Sequence, residues 1–180
     1  MELFEKTLSS ERVYQGKIIN LRVDRVELPN GSVSTREIVE HNGGVSVLPV
    51  SEDGSVYLVR QFRKAAEQIL LEAPAGKIDP SEGHFACGSR ELKEETGFHA
   101  DRYRYLGYIL PTPGYVNEKI HLYLACGLRS GAAEPDADEF VDLQRMPLEE
   151  AYRMALRGEI RDAKTVVLLL KAKEFLKETT

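Results

Sequence analysis

The sequence predicts a mixed α/β domain carrying a β-hairpin at its N-terminal end, and three observations lead there. Apolar residues alternate in the strand manner on both sides of Asn30-Gly31, apolar strand segments separated by short polar turns follow Gly43-Gly44, and two segments with helical spacing come last.

Taken in order, INLRVDRVELP and SVSTREIVEH flank Asn30-Gly31, a pair suited to tight turns, so a hairpin is expected within residues 12–40. After Gly43-Gly44 come VSVLPV and SVYLVRQF, joined by the turn SEDGS. Strand character returns in YRYLGYIL and KIHLYLACGL, separated by the loop PTPGYVNE with its prolines and glycine. DEFVDLQRMP reads as a further strand and precedes two helical segments, LEEAYRMALRG and AKTVVLLLKAKEFLKE. No internal repeat is present. The expected organisation is a hairpin region over 1–42 followed by a main domain over 43–180.

Bulk properties exclude several function classes. At 42% hydrophobic and 29% charged residues the 180-residue chain is ordinary for a globular domain, so neither disorder nor a fibrous repeat is expected. The longest apolar runs, such as VVLLL at 166–170, are far too short to cross a bilayer, so no membrane association is expected. No basic, apolar, small-residue succession opens the sequence, which makes a secretory signal unexpected and the cytoplasm the expected location. A net charge of −5 without any Lys/Arg block argues against nucleic-acid binding, because phosphate neutralisation needs clustered positive charge. Cys87 and Cys126 stand far apart without a CxxC partner and read as small buried hydrophobes.

One stretch concentrates acids. In RELKEETG, a helix from about His84 to Thr96 that stops at Gly97 would project Glu91, Glu94 and Glu95 from one face, at i, i+3 and i+4. Like charges that close repel. Either they form a solvated face balanced by Arg90 and Lys93, or they form a hard-cation site, because Mg²⁺ prefers carboxylate oxygens, keeps several waters and binds substrate phosphates. Spacing alone leaves both open. His41, His84, His99 and His121 show no ligand spacing, and no phosphate loop, dinucleotide fingerprint or Ser or Cys nucleophile motif appears, so water is the expected nucleophile.

The wider pattern carries a resemblance. Gly76, Glu82, Arg90-Glu91, Leu92, Glu94-Glu95, Gly97 and Phe98 are spaced as in the Nudix box, and the chain resembles the Nudix hydrolases. That resemblance implies a mixed β-sheet sandwiched between helices, with the box as a loop–helix–loop, and hydrolysis of a nucleoside diphosphate linked to another moiety. It implies that Glu91 and Glu95 bind metal, joined by the Ala75 carbonyl, with Glu94 and Glu82 supporting the cluster. Two or three Mg²⁺ ions are expected, with Mn²⁺ as a possible substitute. Arg90 reads as an ion pair that orients carboxylates.

Beyond the box, VRQFRKAAEQILLEAPAGKID, PTPGYVNEKIHLYLA and EIRDAKTVVLLL resemble the ADP-ribose pyrophosphatase branch. A proline about fifteen residues past the box marks that branch, and Pro113 stands there. The resemblance further implies a homodimer that exchanges the N-terminal region. Arg36 would then approach the substrate phosphates from the partner, Ile18 or Ile19 would flank the adenine, and Arg63 would contact the pyrophosphate from its own chain. Because metal-bound carboxylates are poor proton acceptors, the general base is expected outside the innermost cluster, with Glu139 first, Glu118 second and Glu94 as a further candidate. Val116-Asn117 stands where many relatives carry Ser-Asp, and Gly88 where many carry Ala. The expected activity is Mg²⁺-dependent cleavage of ADP-ribose to AMP and ribose 5-phosphate. The alternatives are the same hydrolysis of another ADP-sugar or nucleotide-sugar, or a non-catalytic Nudix ligand-binding module.

Overall fold

Two units make up the chain: one runs up to Gly43 and takes in Leu110–Lys119, and the other comprises Gly44–Ile109 and the chain from Ile120 onward. The computed structural model of the protein describes residues 3–134 and 140–178.

In the first unit β1 (Lys6–Gln15), β2 (Asn20–Glu27) and β3 (Val33–Glu40) form an antiparallel sheet in that order. The hairpin expected around Asn30-Gly31 is β2–β3, with Glu27 opposite Val33. Gly31 sits at φ 82°, a left-handed conformation that costs glycine nothing, and the Asn30 side chain accepts the Ser32 N–H at 3.0 Å to fix the turn. The third strand, β1, was not anticipated as a whole. Every one of its residues is exposed, so it has no inward and outward face to imprint an alternation on the sequence. The 110–119 segment belongs to this unit because it is stitched to the end of β3: Val39 donates its N–H to the Tyr115 carbonyl at 2.8 Å and accepts from the Asn117 N–H at 3.1 Å. The Asn117 side chain then accepts the His41 N–H at 2.9 Å. Val116-Asn117, the departure noted above, therefore has a structural task within this unit.

The second unit is built on a mixed sheet. β4 (Gly44–Val50) lies parallel to β9 (Ile120–Ser130), and β8 (Phe98–Ile109) runs antiparallel to β9. On the other side β5 (Ser55–Arg63) pairs with β10 (Val141–Pro147), giving the order β10-β5-β4-β9-β8. Two short strands that the sequence did not announce, β6 (Gln68–Glu72) and β7 (Ala75–Lys77), pair with β5 and β4. Among the described residues three α-helices complete it: α1 (His84–Thr96), α2 (Leu148–Leu156) and α3 (Ala163–Glu178). α1 spans the residues expected, and Gly97 ends it at φ 73° while its N–H bonds the Lys93 carbonyl at 2.7 Å.

Alternation along β4 and β9 makes the sandwich. Val45, Val47, Tyr123 and Ala125 pack with Cys87 and Leu92 of α1, whereas Leu48, Val50, Leu122 and Leu124 pack with Leu168 and Leu169 of α3 and Ala151 of α2. Each fully buried leucine contributes about 1.5–3 kcal/mol, so Leu122→Ala would cost about 2–5 kcal/mol once the cavity is included. Gly88 has a packing reason: a Cβ there would lie 2.8 Å from Val45 Cγ1 and 3.1 Å from Val47 Cγ2, so helix α1 approaches the sheet too closely for a side chain. Cys87 is buried as expected, Cys126 is half-buried, and both are free thiols. Burial pushes the Cys87 thiol up to about 12, which leaves it un-ionised.

Candidate active site

Glu91 and Glu95 of α1 do not lie on a solvated face. Cys87, Gly88, Glu91, Leu92, Glu95 and Thr96 form the buried stripe of the helix, so Glu91 and Glu95 are spaced one turn apart among its apolar contacts. They are 6% and 3% exposed. Burying an ionised carboxylate is costly unless it is paired, so this placement needs partners.

Arg90 supplies one. Its Nη1 donates to Glu91 Oε1 at 2.8 Å and to Glu94 Oε2 at 2.7 Å, while Nε and Nη2 clasp Glu82 at 3.1 and 3.0 Å. One guanidinium thus gathers three carboxylates, two from its own helix and one from the preceding loop. The hydrogen bonds to Glu82 raise the Arg90 pKa, and the same bonds hold the Glu82 carboxyl below its ordinary range.

The backbone of 75–76 supplies another contact. The Ala75 N–H donates to Glu95 Oε2 at 3.1 Å. At Gly76 a Cβ would fall 1.8 Å from Glu91 Oε1, so the missing side chain is the space the carboxylate occupies. Ala75 and Gly76 are held there by β7, where they pair with Ser46 and Val45 of β4. Among the described residues no three His, Cys, Asp or Glu side chains form a ready-made cation cage. The donor set that is present, two buried carboxylates beside a backbone edge, fits a hard divalent cation that takes few protein oxygens and completes its shell with water and substrate phosphate.

Arg63 lies in the same unit. Its Nε and Nη2 bond Glu72 at 2.7 and 2.8 Å, and Glu72 is 1% exposed. Burial opposes ionisation of Glu72, but Arg63 and Lys164 override it and hold the carboxyl below the usual range. Glu72, Asp162, Lys164 and Thr165 escaped the sequence reading. The available signal was EIRDAKTVVLLL, in which Asp162 precedes the helix as an N-cap: its Oδ2 accepts the Thr165 N–H at 3.0 Å.

Arg36, Ile18, Ile19, Pro113 and Glu118 belong to the first unit. The Arg36 Nε bonds Glu5 Oε2 at 2.9 Å, and its Nη2 bonds Glu5 Oε1 at 2.5 Å. Ile18 and Ile19 are exposed, as is Pro113. Glu118 lies 3.3 Å from His41 Nδ1. Glu139 lies outside the described residues. Two of the histidines are satisfied locally: His84 and His121 stack with centroids 4.1 Å apart, and their Nδ1 atoms hydrogen-bond the hydroxyls of Tyr123 and Tyr105 at 2.6 and 2.9 Å.

Comparison with known proteins sets these features in context. The Nudix domain family matches residues 40–169, and the nucleoside diphosphate sugar hydrolase N-terminal domain family matches residues 5–39. The chain is 41% identical over 177 residues to the methanol dehydrogenase activator of Bacillus methanolicus, covering 96% of both. It is 40% identical over 178 residues to the ADP-ribose pyrophosphatase of Bacillus subtilis, covering 97% of this chain and 96% of the relative. The GDP-mannose pyrophosphatase of Citrobacter koseri is more distant, at 34% over 177 residues, with 91% and 92% covered. A crystal structure titled ADP compounds hydrolase superimposes with a TM-score of 0.87 at 26% identity, covering 99% of this chain and 98% of that one.

Proposed function

This chain belongs to the Nudix family, and from that premise we propose that it hydrolyses the pyrophosphate bond of ADP-ribose to AMP and ribose 5-phosphate. It is a Nudix pyrophosphohydrolase. The observation that carries the reading is the burial of Glu91 and Glu95 against Ala75 and Gly76 in a chain matched over 97% of its length by an ADP-ribose pyrophosphatase.

The reaction uses a divalent metal, with Mg²⁺ as the proposed ion, two or three per site, and Mn²⁺ as its substitute. Bound there, the ion offsets the negative charge of the pyrophosphate and of the leaving phosphate. Glu91, Glu95 and the Ala75 carbonyl would hold it. Arg90 keeps Glu82, Glu91 and Glu94 gathered, so the acidic cluster is organised before substrate arrives. A water oxygen adds to one phosphorus, the bridging P–O bond breaks, and the water proton passes to a general base. Glu139 is the proposed base. Glu118 and Glu94 rank behind it; the Glu94 carboxylate is already held by Arg90 Nη1 at 2.7 Å, which restricts its freedom to turn toward a water. Arg63 and Arg36 are proposed phosphate contacts, Ile19 an adenine contact and Pro113 a wall of the substrate loop.

A homodimer sharing the N-terminal region is part of the proposal. Supporting it, β1 is exposed along its whole length and the first unit presents Phe4, Leu8, Val13, Tyr14 and Ile18 to solvent. No helix of the described residues is long and apolar enough to cross a membrane, and the cytoplasm is the proposed location. Relatives named for GDP-mannose favour a second reading, hydrolysis of another nucleotide-sugar by the same carboxylates. The test is product identification after incubation with ADP-ribose, other ADP-sugars, GDP-mannose, NADH and nucleoside triphosphates in Mg²⁺. AMP and ribose 5-phosphate as the fastest-formed products are expected; fastest release of GMP and mannose 1-phosphate would replace the first reading with the second.

A further inference from the structure

Between the end of β6 and the start of α3 lies a buried polar network that the reading above leaves without a role. We propose that Thr165 and Lys164 are positioning residues, which hold the Glu72–Gly76 strap so that Ala75 meets Glu95 and Gly76 meets Glu91. This rests on the metal reading of Glu91 and Glu95.

The network is closed at every step. Thr165 is fully buried; its hydroxyl accepts the Ala73 N–H at 2.7 Å and donates to Asp162 Oδ2 at 2.5 Å, so its single proton and its orientation are both committed. Lys164 Nζ bonds Glu72 Oε2 and also Asp162 Oδ1, the latter at 2.9 Å. Glu72 is gripped from the other side by Arg63.

From there the strap runs into the site with its polar backbone groups engaged. The Ala73 N–H goes to Thr165, and the Pro74 carbonyl accepts the Val47 N–H at 2.8 Å and the Ser46 hydroxyl at 3.2 Å. Pro74 adds a fixed φ and no donor of its own. The Ala75 N–H goes to Glu95 Oε2. The start of α3 is thereby connected to the buried carboxylates through a short run of backbone with little freedom to slide.

A helix cap alone would need only Asp162 and the first-turn amides. The Thr165 bond to Ala73 and the Lys164 bond to Glu72 reach out of the helix to the strap, and they are what a positioning role requires. Groups that orient metal-binding side chains from behind typically change metal affinity about 10–100-fold when removed.

The test is Mn²⁺ titration of the full-length, substrate-free protein by electron paramagnetic resonance. Thr165→Val keeps the side-chain shape and removes the hydroxyl; it should weaken Mn²⁺ binding about 10-fold. Thr165→Ser should restore affinity to within about twofold of wild type, because it returns the hydroxyl. Leu168→Val, on the apolar face of α3, should lower the melting temperature yet leave Mn²⁺ binding unchanged. Unchanged affinity in Thr165→Val, or equal weakening in Leu168→Val, overturns the inference. Should Thr165→Val fail to fold, Lys164→Met carries the same expectation, and unchanged affinity there is equally decisive. Glu95→Gln separates the two readings: unchanged Mn²⁺ binding in it overturns the metal reading and this inference together, whereas weakened binding in it beside an unaffected Thr165→Val overturns this inference alone.

Discussion

β1 and β4 are both strands, yet one is exposed at every residue from Lys6 to Gln15 and the other buried at every residue from Gly44 to Val50. Neither shows the alternation of a half-buried strand. β4 lacks it because helices cover both of its faces, α1 over Val45 and Val47 and the α2–α3 layer over Leu48 and Val50. β1 lacks it because nothing within the described chain covers either face. The charges follow the contrast only in part: the second unit buries Glu72, Glu91 and Glu95, and the first buries Asp24 but leaves Arg12, Arg22 and Arg36 partly exposed beside Glu40 and Glu5. A strand's environment, more than its composition, thus decides whether it is buried in the domain or left exposed, and the contrast can be tested from both sides.

The largest effect is expected where charge is buried. Glu91→Gln or Glu95→Gln removes a negative charge from a site proposed to hold a dication, and turnover should fall about 10³-fold or more at limiting Mg²⁺ while the fold survives. Steady-state kinetics across a Mg²⁺ series, with circular dichroism as the fold check, measures this. Near-wild-type activity in both variants would sink the metal assignment.

Next comes the proposed base. Glu139→Gln should lower kcat about 10²–10⁴-fold and leave the Mg²⁺ requirement and KM little changed. If kcat falls less than about threefold while Glu118→Gln or Glu94→Gln shows the large loss, the base is one of those instead.

The exposed side of the comparison predicts a change in assembly. A Leu8→Asp, Val13→Asp double variant of β1 should weaken the proposed dimer about 100-fold or more. Within a single chain it should leave the melting temperature of the second unit unaltered, because both side chains are exposed. Sedimentation velocity over a dilution series reads the outcome, and an undiminished dimer means that β1 is not at the interface.

The smallest effect is a pH slope. The folded-state pKa of Glu72 is depressed, so the unfolded chain binds more protons in acid, and this group stabilises the fold above its unfolded pKa and ceases to do so as pH falls through the lower folded value. Urea unfolding of wild type between about pH 3 and 6 should therefore show stability rising with pH, and Glu72→Gln should flatten that rise. An unaltered slope would mean that Glu72 does not contribute to it.

Much of this could be read from the residues. The apolar runs of β4, β5 and β9 between polar turns, the helical spacing of α1 to α3 and the turn at Asn30-Gly31 were legible because each is a local signal. So was the box, since Gly76, Glu82, Arg90, Glu91, Glu94 and Glu95 are a fixed spacing along one short stretch. β6 and β7 were not legible: they are short, and they exist because β5 and β4 offer them edges. Nor did spacing reveal that Glu91 and Glu95 face inward while Glu94 stays half-exposed, since all three share one helix face.

Sequence alone therefore determined the family, the mixed α/β class and the acids available for chemistry, because local periodicity and a contiguous motif survive in one dimension. Tertiary structure decided which acids are buried, that Gly76 leaves room for the Glu91 carboxylate, and that Thr165 and Lys164 close on Ala73 and Glu72 from far along the chain. Those facts depend on the packing of elements distant in sequence, where burial and a hydrogen-bond partner are properties of the folded neighbourhood and not of any residue by itself.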